Sequence, residues 1–313
     1  MSRTTRRPGF ALAAGLLALL YVALTPSPIL DAQAQLPLPS PVAFGRGDVF
    51  LTFENGDVQW RLSDGTLNRT LVSREVGTGE GVAFDTMGSL YVSRWCLGDE
   101  CRGGNLVERF NSVGIGQGTY GSGYDCSPHG IVFDSADTAY VGLAGCSGAI
   151  LKFVGGELQA AFPVAPDTQG AFWIDLAPDL CTMFYTSYGP NVKRYDVCAN
   201  VQLTDFNAAP LPGLPLPGRG AHDVRVLPDG GVLVASDEVI ARLNSTGQLV
   251  RTYAVTGEAN LWTGLGLVGD GTFWAVNYEA STVHRFDIDS GSRLASFGTG
   301  TPSHTIVAVT VKR

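Results

Sequence analysis

The chain has 313 residues, 45% of them hydrophobic and only 16% charged, with a formal net charge of -8 at pH 7. The acidic balance and the lack of a surviving basic cluster exclude nucleic acid as an expected partner. The 40 glycines and the few charges favour many short strands joined by tight turns, in a chain long enough for one large core.

The N-terminus has the pattern of a secretory signal peptide. Arginines in the first seven residues precede an apolar run from Phe10 to Leu24, and Ala32-Gln33-Ala34 forms a small-x-small cleavage pattern. The apolar run is short for a membrane span. We therefore predict cleavage after Ala34 and a secreted, periplasmic or extracellular protein with no stable span. The mature chain would have 18 basic and 28 acidic residues, a net charge of -10.

A short pattern then occurs six times: an apolar residue, a spacer, a base, and an aromatic residue or leucine. The spacings between successive bases are 48, 43, 42, 48 and 43 residues, which is typical of a propeller or another repeat array. Apolar and polar residues alternate in each copy, and a glycine-containing turn follows most copies, so each is interpreted as the third strand of a four-stranded blade. The bases are Arg61, Arg109, Lys152, Arg194, Arg242 and Arg285.

The first blade lacks one strand, and one strand at the C-terminus is left without a blade. The first blade begins with its second strand, from Asp48 to Phe53, and the chain finishes with an unassigned alternating strand from Thr305 to Val311. A terminal strand that completes the first blade would remove open sheet edges. We predict an all-β fold: a six-bladed β-propeller of four-stranded antiparallel blades, closed by the C-terminal strand. Residues 1–34 are then signal peptide, 35–47 linker and 48–313 propeller.

The repeats resemble a known fold group. Gly81-Val82-Ala83-Phe84-Asp85, Leu90-Tyr91-Val92 and Val107-Glu108-Arg109-Phe110 are similar to the NHL-repeat and gluconolactonase/regucalcin propellers. The resemblance covers essentially the whole mature chain and implies a fold that hosts many functions.

The first strand of each blade lines the central channel, and aligning those strands puts one residue of each at the channel mouth. Three of the chain's four histidines fall at this position, in alternating blades, where their imidazoles would suit a tetrahedral zinc site with one open position. The aligned residues are Glu80, His129, Ile174, His222, Thr263 and His304. The arrangement is similar to that of peptidyl-hydroxyglycine amidating lyases, which implies His129, His222 and His304 as metal ligands.

Other residues on this face are candidates for catalysis or binding. Glu80 is a candidate metal ligand or general base. The resemblance to gluconolactonases instead implies calcium, with Glu80 and Asn277 in the ligand set. Substrate contacts are expected from Arg94, Tyr188 and Asn277 in loops, and from Trp173 and Trp262, which would form either an aromatic rim or ordinary core.

Six cysteines, all after the cleavage site, fit an oxidising compartment. The blade model pairs Cys181 with Cys198 across a hairpin and Cys126 with Cys146 between two strands, and Cys96 with Cys101 would close a small loop. Zinc ligation by cysteine is the alternative, but no pair has the two-residue spacing of a zinc knuckle.

Two functions remain open. One is a metal-dependent lyase, lactonase or other hydrolase acting on a small molecule or a peptide end at the channel mouth. The other is a non-catalytic propeller that binds a protein or glycan partner across the same face. In either case we expect a monomer.

Overall fold

A computed structural model describes residues 42–74, 77–98, 103–214 and 220–313. The predicted signal peptide and the first part of the linker lie outside these ranges. Within the described ranges the chain forms 24 strands in six four-stranded antiparallel sheets. No helix long and apolar enough to cross a membrane occurs among these residues.

Each sheet is one blade, and in every blade but the first its strands follow one another in chain order from the central channel outward. The first blade contains β1 (Val49–Phe53), β2 (Val58–Arg61) and β3 (Leu67–Val72). The second contains β4 (Val82–Phe84), β5 (Leu90–Arg94), β6 (Leu106–Phe110) and β7 (Gly116–Tyr120). The third contains β8 (Pro128–Phe133), β9 (Thr138–Leu143), β10 (Ile150–Val154) and β11 (Glu157–Phe162).

The remaining blades repeat this plan. The fourth contains β12 (Ile174–Leu176), β13 (Thr182–Tyr185), β14 (Lys193–Asp196) and β15 (Val201–Gln202). The fifth contains β16 (Ala221–Val226), β17 (Val232–Ser236), β18 (Ile240–Leu243) and β19 (Leu249–Tyr253). The sixth contains β20 (Trp262–Leu267), β21 (Thr272–Asn277), β22 (Thr282–Asp287) and β23 (Arg293–Gly298), and β24 (Ile306–Val311) follows it.

The ring closes as the sequence predicts. Strand β24 pairs antiparallel with β1, with Val309 opposite Leu51, so the first blade has the order β24-β1-β2-β3. The expected six-bladed propeller is therefore confirmed. Closure gives β1 a partner on both sides and leaves no gap between the first and sixth blades.

Burial falls from the second strand of each blade to the fourth. Every residue of β1, β5, β9, β17 and β21 is buried, because each of these strands is covered on both faces by the neighbouring blades. The outermost strands are largely exposed, as in β3 and β23. The core therefore consists of six apolar layers between blades, and the channel face is free to present polar groups.

Glycines allow adjacent inner strands to approach closely. A Cβ on Gly81 would lie 2.1 Å from the carbonyl oxygen of His129, and one on Gly130 would lie 2.6 Å from the backbone nitrogen of Ile174. Side chains are excluded at these positions by the neighbouring backbone. The glycines therefore set the spacing of the blades around the channel mouth.

The recurring base lies in the third strand of every blade, as predicted, but it is not simply a solvated face residue. Arg109, Lys152 and Arg285 extend over the rings of Tyr91, Tyr140 and Trp274, their partners on the second strand. The charged ends remain near solvent while the stems cover aromatic surface. In these three blades the recurring base therefore packs against an aromatic side chain of the neighbouring strand.

Two of the predicted disulfides are confirmed. Cys126 is bonded to Cys146, and Cys181 is bonded to Cys198. The third predicted pairing includes Cys101, which lies outside the described residues, so that pairing stays a prediction. Disulfide bonds persist in oxidising compartments, which is consistent with an extracytoplasmic protein.

Candidate functional site at the channel mouth

A cavity of about 420 Å³ lies at one mouth of the central channel. Strand pairing and the adjoining backbone hydrogen bonds identify one residue in or just before each inner strand that occupies an equivalent place in its blade, and all six of these residues line the cavity. We call them the mouth ring: Glu80, His129, Phe172, His222, Thr263 and Val307.

The mouth ring corrects two positions of the sequence alignment. In the fourth blade the ring residue is Phe172, two residues before Ile174, and in the first blade it is Val307, three residues after His304. His304 lies in the loop before β24 with a positive φ of 60°. Its exposed ring is 2.6 Å from Oε2 of Glu279 through Nε2, and it does not line the cavity.

Hydroxyl groups of the second strands fix the backbone of the ring. Thr52 donates a hydrogen bond to the carbonyl oxygen of Glu80 at 2.8 Å. Ser93 and Thr186 donate in the same way to the carbonyl oxygens of His129 and His222. Each bond joins one blade to the next, so the ring residues are held by the scaffold and not by flexible loops.

Glu80 and His129 are neighbours on adjacent blades and form a buried pair. Nε2 of His129 lies 3.5 Å from Oε2 of Glu80, and the two side chains are only 11% and 7% exposed. Burial raises the pKa of Glu80 to about 7. Two smaller effects lower this pKa: a hydrogen bond that Trp95 Nε1 donates to Oε1, and the positive charge of Arg94. Burial lowers the pKa of His129 to about 4. Both groups therefore favour their neutral forms at mildly acidic pH.

The tautomer of His129 follows from its second contact. Nδ1 lies 3.1 Å from the carbonyl oxygen of Ser127, which can only accept a hydrogen bond. In the neutral ring, Nδ1 therefore carries the hydrogen and Nε2 presents its lone pair toward Glu80. A protonated Glu80 thus has an acceptor beside it.

His222 has the opposite arrangement. Its Nε2 lies 2.8 Å from Oδ1 of Asp237, and both side chains are largely buried. A carboxylate in this position keeps the hydrogen on Nε2, so that Nδ1 is the acceptor of the neutral ring. The ring of Phe172 lies between the two imidazoles, 4.6 Å from the centroid of His129 and 5.9 Å from that of His222. The cavity wall therefore contains two oriented imidazoles separated by an aromatic side chain.

A second set of side chains surrounds the mouth ring. Each member comes at or shortly after the end of a second strand, at an equivalent place in every blade: Glu54, Trp95, Ala144, Tyr188, Asp237 and Tyr278. Glu54 lies at the exposed rim of the cavity beside Tyr278. Partial burial and the nearby charge of Glu80 raise the pKa of Glu54, and a hydrogen bond with Tyr278 counters this.

Several sequence-predicted site residues have structural roles instead. Arg94 is fully buried, where its Nε donates to Oε2 of Glu108 at 2.6 Å and its Nη1 donates to two carbonyl oxygens. The buried amide of Asn277 accepts from the backbone nitrogen of Leu261 and donates to the carbonyl oxygen of Ala259. Neither residue lines the cavity, which leaves the predicted calcium set with Glu80 alone.

The predicted aromatic contacts divide between core and site. Trp262 is fully buried and packs edge-on against Phe286, so it belongs to the core alternative. Trp173 is also core, although part of it reaches the cavity wall. Tyr188 packs against the rings of His222 and Phe172, with centroid distances of 5.2 and 6.0 Å, and so supports the site from behind.

The residues present do not fit a zinc ion held by three histidines. Among the described residues, only Cys181, Asp196 and Cys198 place three potential ligand atoms within 4.8 Å of one another. Both cysteines are in a disulfide, so they offer no thiolate to a metal. Of the three predicted imidazoles, two reach the cavity and the third is paired with Glu279. Metal binding by this protein stays a prediction.

Sequence reasoning missed Glu54, Asp237 and Phe172. The sequence did contain a signal for Glu54 and Asp237, because the position just after the second strand recurs once in every blade, as the ring position does. Aligning the second strands as well as the first would have placed Glu54 and Asp237 at the mouth. Phe172 was missed because Trp173 follows it, whereas a glycine follows the ring residue in the second, third and sixth blades.

Comparison with known proteins supports the fold alone. A scan of protein-family models and a search of curated protein sequences both find no match. A chain of a nidogen/laminin complex is 13% identical, with a TM-score of 0.65 over 85% of this chain and 98% of that chain. A protein of unknown function from Bacteroides caccae is 13% identical, with a TM-score of 0.65 over 85% and 99%.

An enzyme is also among the similar structures. Virginiamycin B lyase from Staphylococcus aureus is 14% identical, with a TM-score of 0.54 over 74% of this chain and 73% of that chain. At these identities the likeness establishes the architecture without establishing a shared activity. The chain is a six-bladed β-propeller, and the predicted relationship to NHL or gluconolactonase proteins stays a prediction.

Proposed function

We propose that the channel-mouth cavity is the active site of an acid–base enzyme, a lyase or lactone hydrolase acting on a small molecule or a peptide end. The observation that carries the proposal is the buried pair of Glu80 and His129. Environments that push the pKa values of two neighbouring groups in opposite directions are characteristic of acid and base assignments. With a pKa of about 7, Glu80 can hold and release a proton near neutral pH.

In this proposal each polar group has a role. Protonated Glu80 acts as the general acid, and His129 Nε2 accepts a proton from it or returns one. His222, oriented by Asp237, acts as the general base through Nδ1. The side-chain hydroxyls of Thr52, Ser93 and Thr186 donate to the backbone carbonyl oxygens of these three residues and keep them in place, which lowers the cost of reaching the reactive geometry.

Two reactions fit these roles. In an elimination, His222 would remove a proton from carbon while the bond from the neighbouring carbon to the leaving oxygen breaks and Glu80 protonates that oxygen. In a hydrolysis, His222 would deprotonate water as it attacks the ester carbonyl, and Glu80 would protonate the departing oxygen. Solvent restores both protonation states afterwards. The fold is shared with virginiamycin B lyase, which is compatible with either reaction and selects neither.

The experiment is a product assay with a panel of lactones and cyclic depsipeptides, including streptogramin B. Mass spectrometry separates the reactions, because elimination opens the ring without a mass change whereas hydrolysis adds the mass of water. Glu80→Gln and Asp237→Asn should each reduce kcat by about 10²-fold or more. Glu279→Gln, a carboxylate outside the cavity, is the matched control and should retain activity.

The alternative, a binding propeller without catalysis, predicts a different result. No substrate of the panel would be converted, and the Glu80→Gln variant would differ from the natural protein only in ligand affinity. Turnover that survives Glu80→Gln undiminished would overturn the assignment of the general acid.

A further inference from the structure

The cavity at the channel mouth has an unbalanced set of charged residues. Its lining contains the carboxylates of Glu54 and Glu80 and no lysine or arginine. Within the described part of the chain, no lysine or arginine forms an ion pair with Glu54. An anionic ligand would therefore meet carboxylates of its own sign, which disfavours substrates that carry a carboxylate or phosphate at this point.

Arg94, the cation whose charge acts on Glu80, is already paired with another carboxylate. Arg94 lies behind Glu80, buried and bonded to Glu108, which also binds Arg74. Asp237 contacts His222, which lines the cavity. Glu279 lies outside the cavity and contacts His304. Glu80 Oε2 belongs to a side chain that is only 7% exposed, and the lone pair of His129 Nε2 lies 3.5 Å from it. No lysine or arginine of the described residues forms an ion pair with Glu80.

The rest of the lining has no charged acid or base: it is aromatic, apolar, or polar through the two imidazoles and through Ser127, Gln169 and Thr263. Trp95 and Tyr278 stand beside the two carboxylates, and Phe172 and Trp173 form the opposite part of the lining. Carboxylates next to aromatic faces are what organic ammonium groups require, since the ring faces attract the cation and the carboxylate neutralises it. A bare divalent metal ion instead requires several oxygen or nitrogen ligands held close together. Among the described residues, no three His, Cys, Asp or Glu ligand atoms of this lining lie within 4.8 Å of one another.

We propose that the ligand of this cavity is an organic cation, an amine whose ammonium group lies between Glu54 and Glu80 and whose apolar part packs against Phe172. The inference rests on the proposed function for the location of the site and names the class of substrate that the site accepts. With such a substrate, the ammonium group carries the proton that Glu80 holds in the free protein, and this proton passes through the Glu80 carboxylate to the leaving oxygen. Glu54, at the rim, meets the ammonium group first, and Glu80, in the wall, binds it more strongly because water is excluded there.

Binding would be coupled to pH. Ionised Glu80 is the form that attracts an ammonium group, and burial keeps this side chain protonated up to about pH 7. Affinity for the amine should therefore increase as pH rises from 6 to 8, and binding at pH 6 should release a proton to the buffer.

The test is isothermal titration of the purified protein with three probes of the same size and different charge: benzylammonium, benzyl alcohol and benzoate. We expect benzylammonium to bind most tightly and benzoate least. Glu80→Gln and Glu54→Gln should each lower the affinity for benzylammonium by about tenfold to a hundredfold and leave the affinity for benzyl alcohol almost unchanged. Glu279→Gln is the control and should bind as the natural protein does. Circular dichroism melts confirm that each variant folds.

The outcomes separate this inference from the proposed function. Tight binding of benzylammonium without turnover of any lactone would support the cation site and contradict the enzyme. Turnover of neutral lactones with no preference for benzylammonium would support the enzyme and overturn the cation site. The inference is also overturned if benzylammonium does not bind at millimolar concentration, if benzoate binds as well, or if calcium or zinc chloride displaces the amine stoichiometrically.

Discussion

His129 Nε2 and Glu80 Oε2 lie 3.5 Å apart in side chains that are both almost completely buried, and burial acts on their pKa values in opposite directions. The pair is neutral in total whether the proton is on oxygen or on nitrogen. This relationship has consequences for both stability and catalysis.

The first prediction concerns stability against pH. Glu80 has a pKa of about 7 in the folded protein and an ordinary value of 4.5, so the folded state holds the extra proton between these values and stability falls as pH rises. His129 has a pKa of about 4 against 6.5, so the unfolded state holds the extra proton and stability rises with pH. In the natural protein the two effects oppose each other.

Substitution should separate them. In Glu80→Gln, the free energy of unfolding should rise as the pH increases from about 4 to about 6.5. In His129→Gln, the free energy of unfolding should fall as the pH increases from about 4.5 to about 7, and each change should be up to about 3 kcal/mol. Urea unfolding curves measured in parallel across this pH range check the prediction. If both variants show slopes of the same sign, the pair is not arranged as described.

The second prediction concerns the predicted metal ligands. His304→Ala should leave activity and metal content unchanged, because Val307 occupies the ring position of the first blade and His304 is exposed outside the cavity. His129→Ala with His222→Ala should abolish activity. Elemental analysis of the natural protein and both variants is the measurement. Stoichiometric zinc that is lost in His304→Ala would restore the three-histidine site and contradict the present assignment.

A third prediction tests the contact between neighbouring blades. Gly81→Ala should destabilise the fold by about 1–3 kcal/mol or more, because its Cβ would lie 2.1 Å from a backbone oxygen that cannot move freely. Gly116→Ala in β7 is the matched control, since a Cβ there meets nothing within 4 Å. Thermal melts of both variants check this. Equal melting temperatures would mean that the inner strands can separate at little cost.

The two confirmed disulfides provide a fourth prediction. Each closes a short loop and should contribute about 2–4 kcal/mol. Replacing Cys126 and Cys146 by serine should also reduce kcat, because Cys126 precedes Ser127, whose carbonyl oxygen orients His129. Replacing Cys181 and Cys198 should lower only the melting temperature, since neither lines the cavity. Equal losses of activity in the two variants would argue against local orientation of His129.

The period of the repeat, the blade order and closure by the C-terminal strand were all predictable from sequence, because strand alternation and turn residues recur in every blade. The ring position was predicted correctly at Glu80, His129 and Thr263, where a glycine follows it, and at His222, where Asp223 follows it. It was misplaced in the fourth blade, where Trp173 replaces that glycine, and in the first, where Ala308 follows Val307. In the first blade, His304 was aligned with the ring position because it is a histidine three residues before Val307.

The side-chain pairs of the site were less predictable. His222 and Asp237 are 15 residues apart in sequence and meet at 2.8 Å because β16 and β17 pair antiparallel. The link between Glu80 and His129 joins two blades and depends on their spacing, which only the folded ring fixes.

Pairing of β24 with β1 makes the wall of the cavity depend on both ends of the propeller. Val307 is supplied by the last strand, whereas Glu54 comes directly after the first. A polypeptide released before this strand is made would lack the residue that the first blade contributes to the mouth ring, and the cavity would be open on that side. If the proposed cation site exists, binding of benzylammonium would therefore require that the final strand has docked, and its affinity would follow the completion of folding.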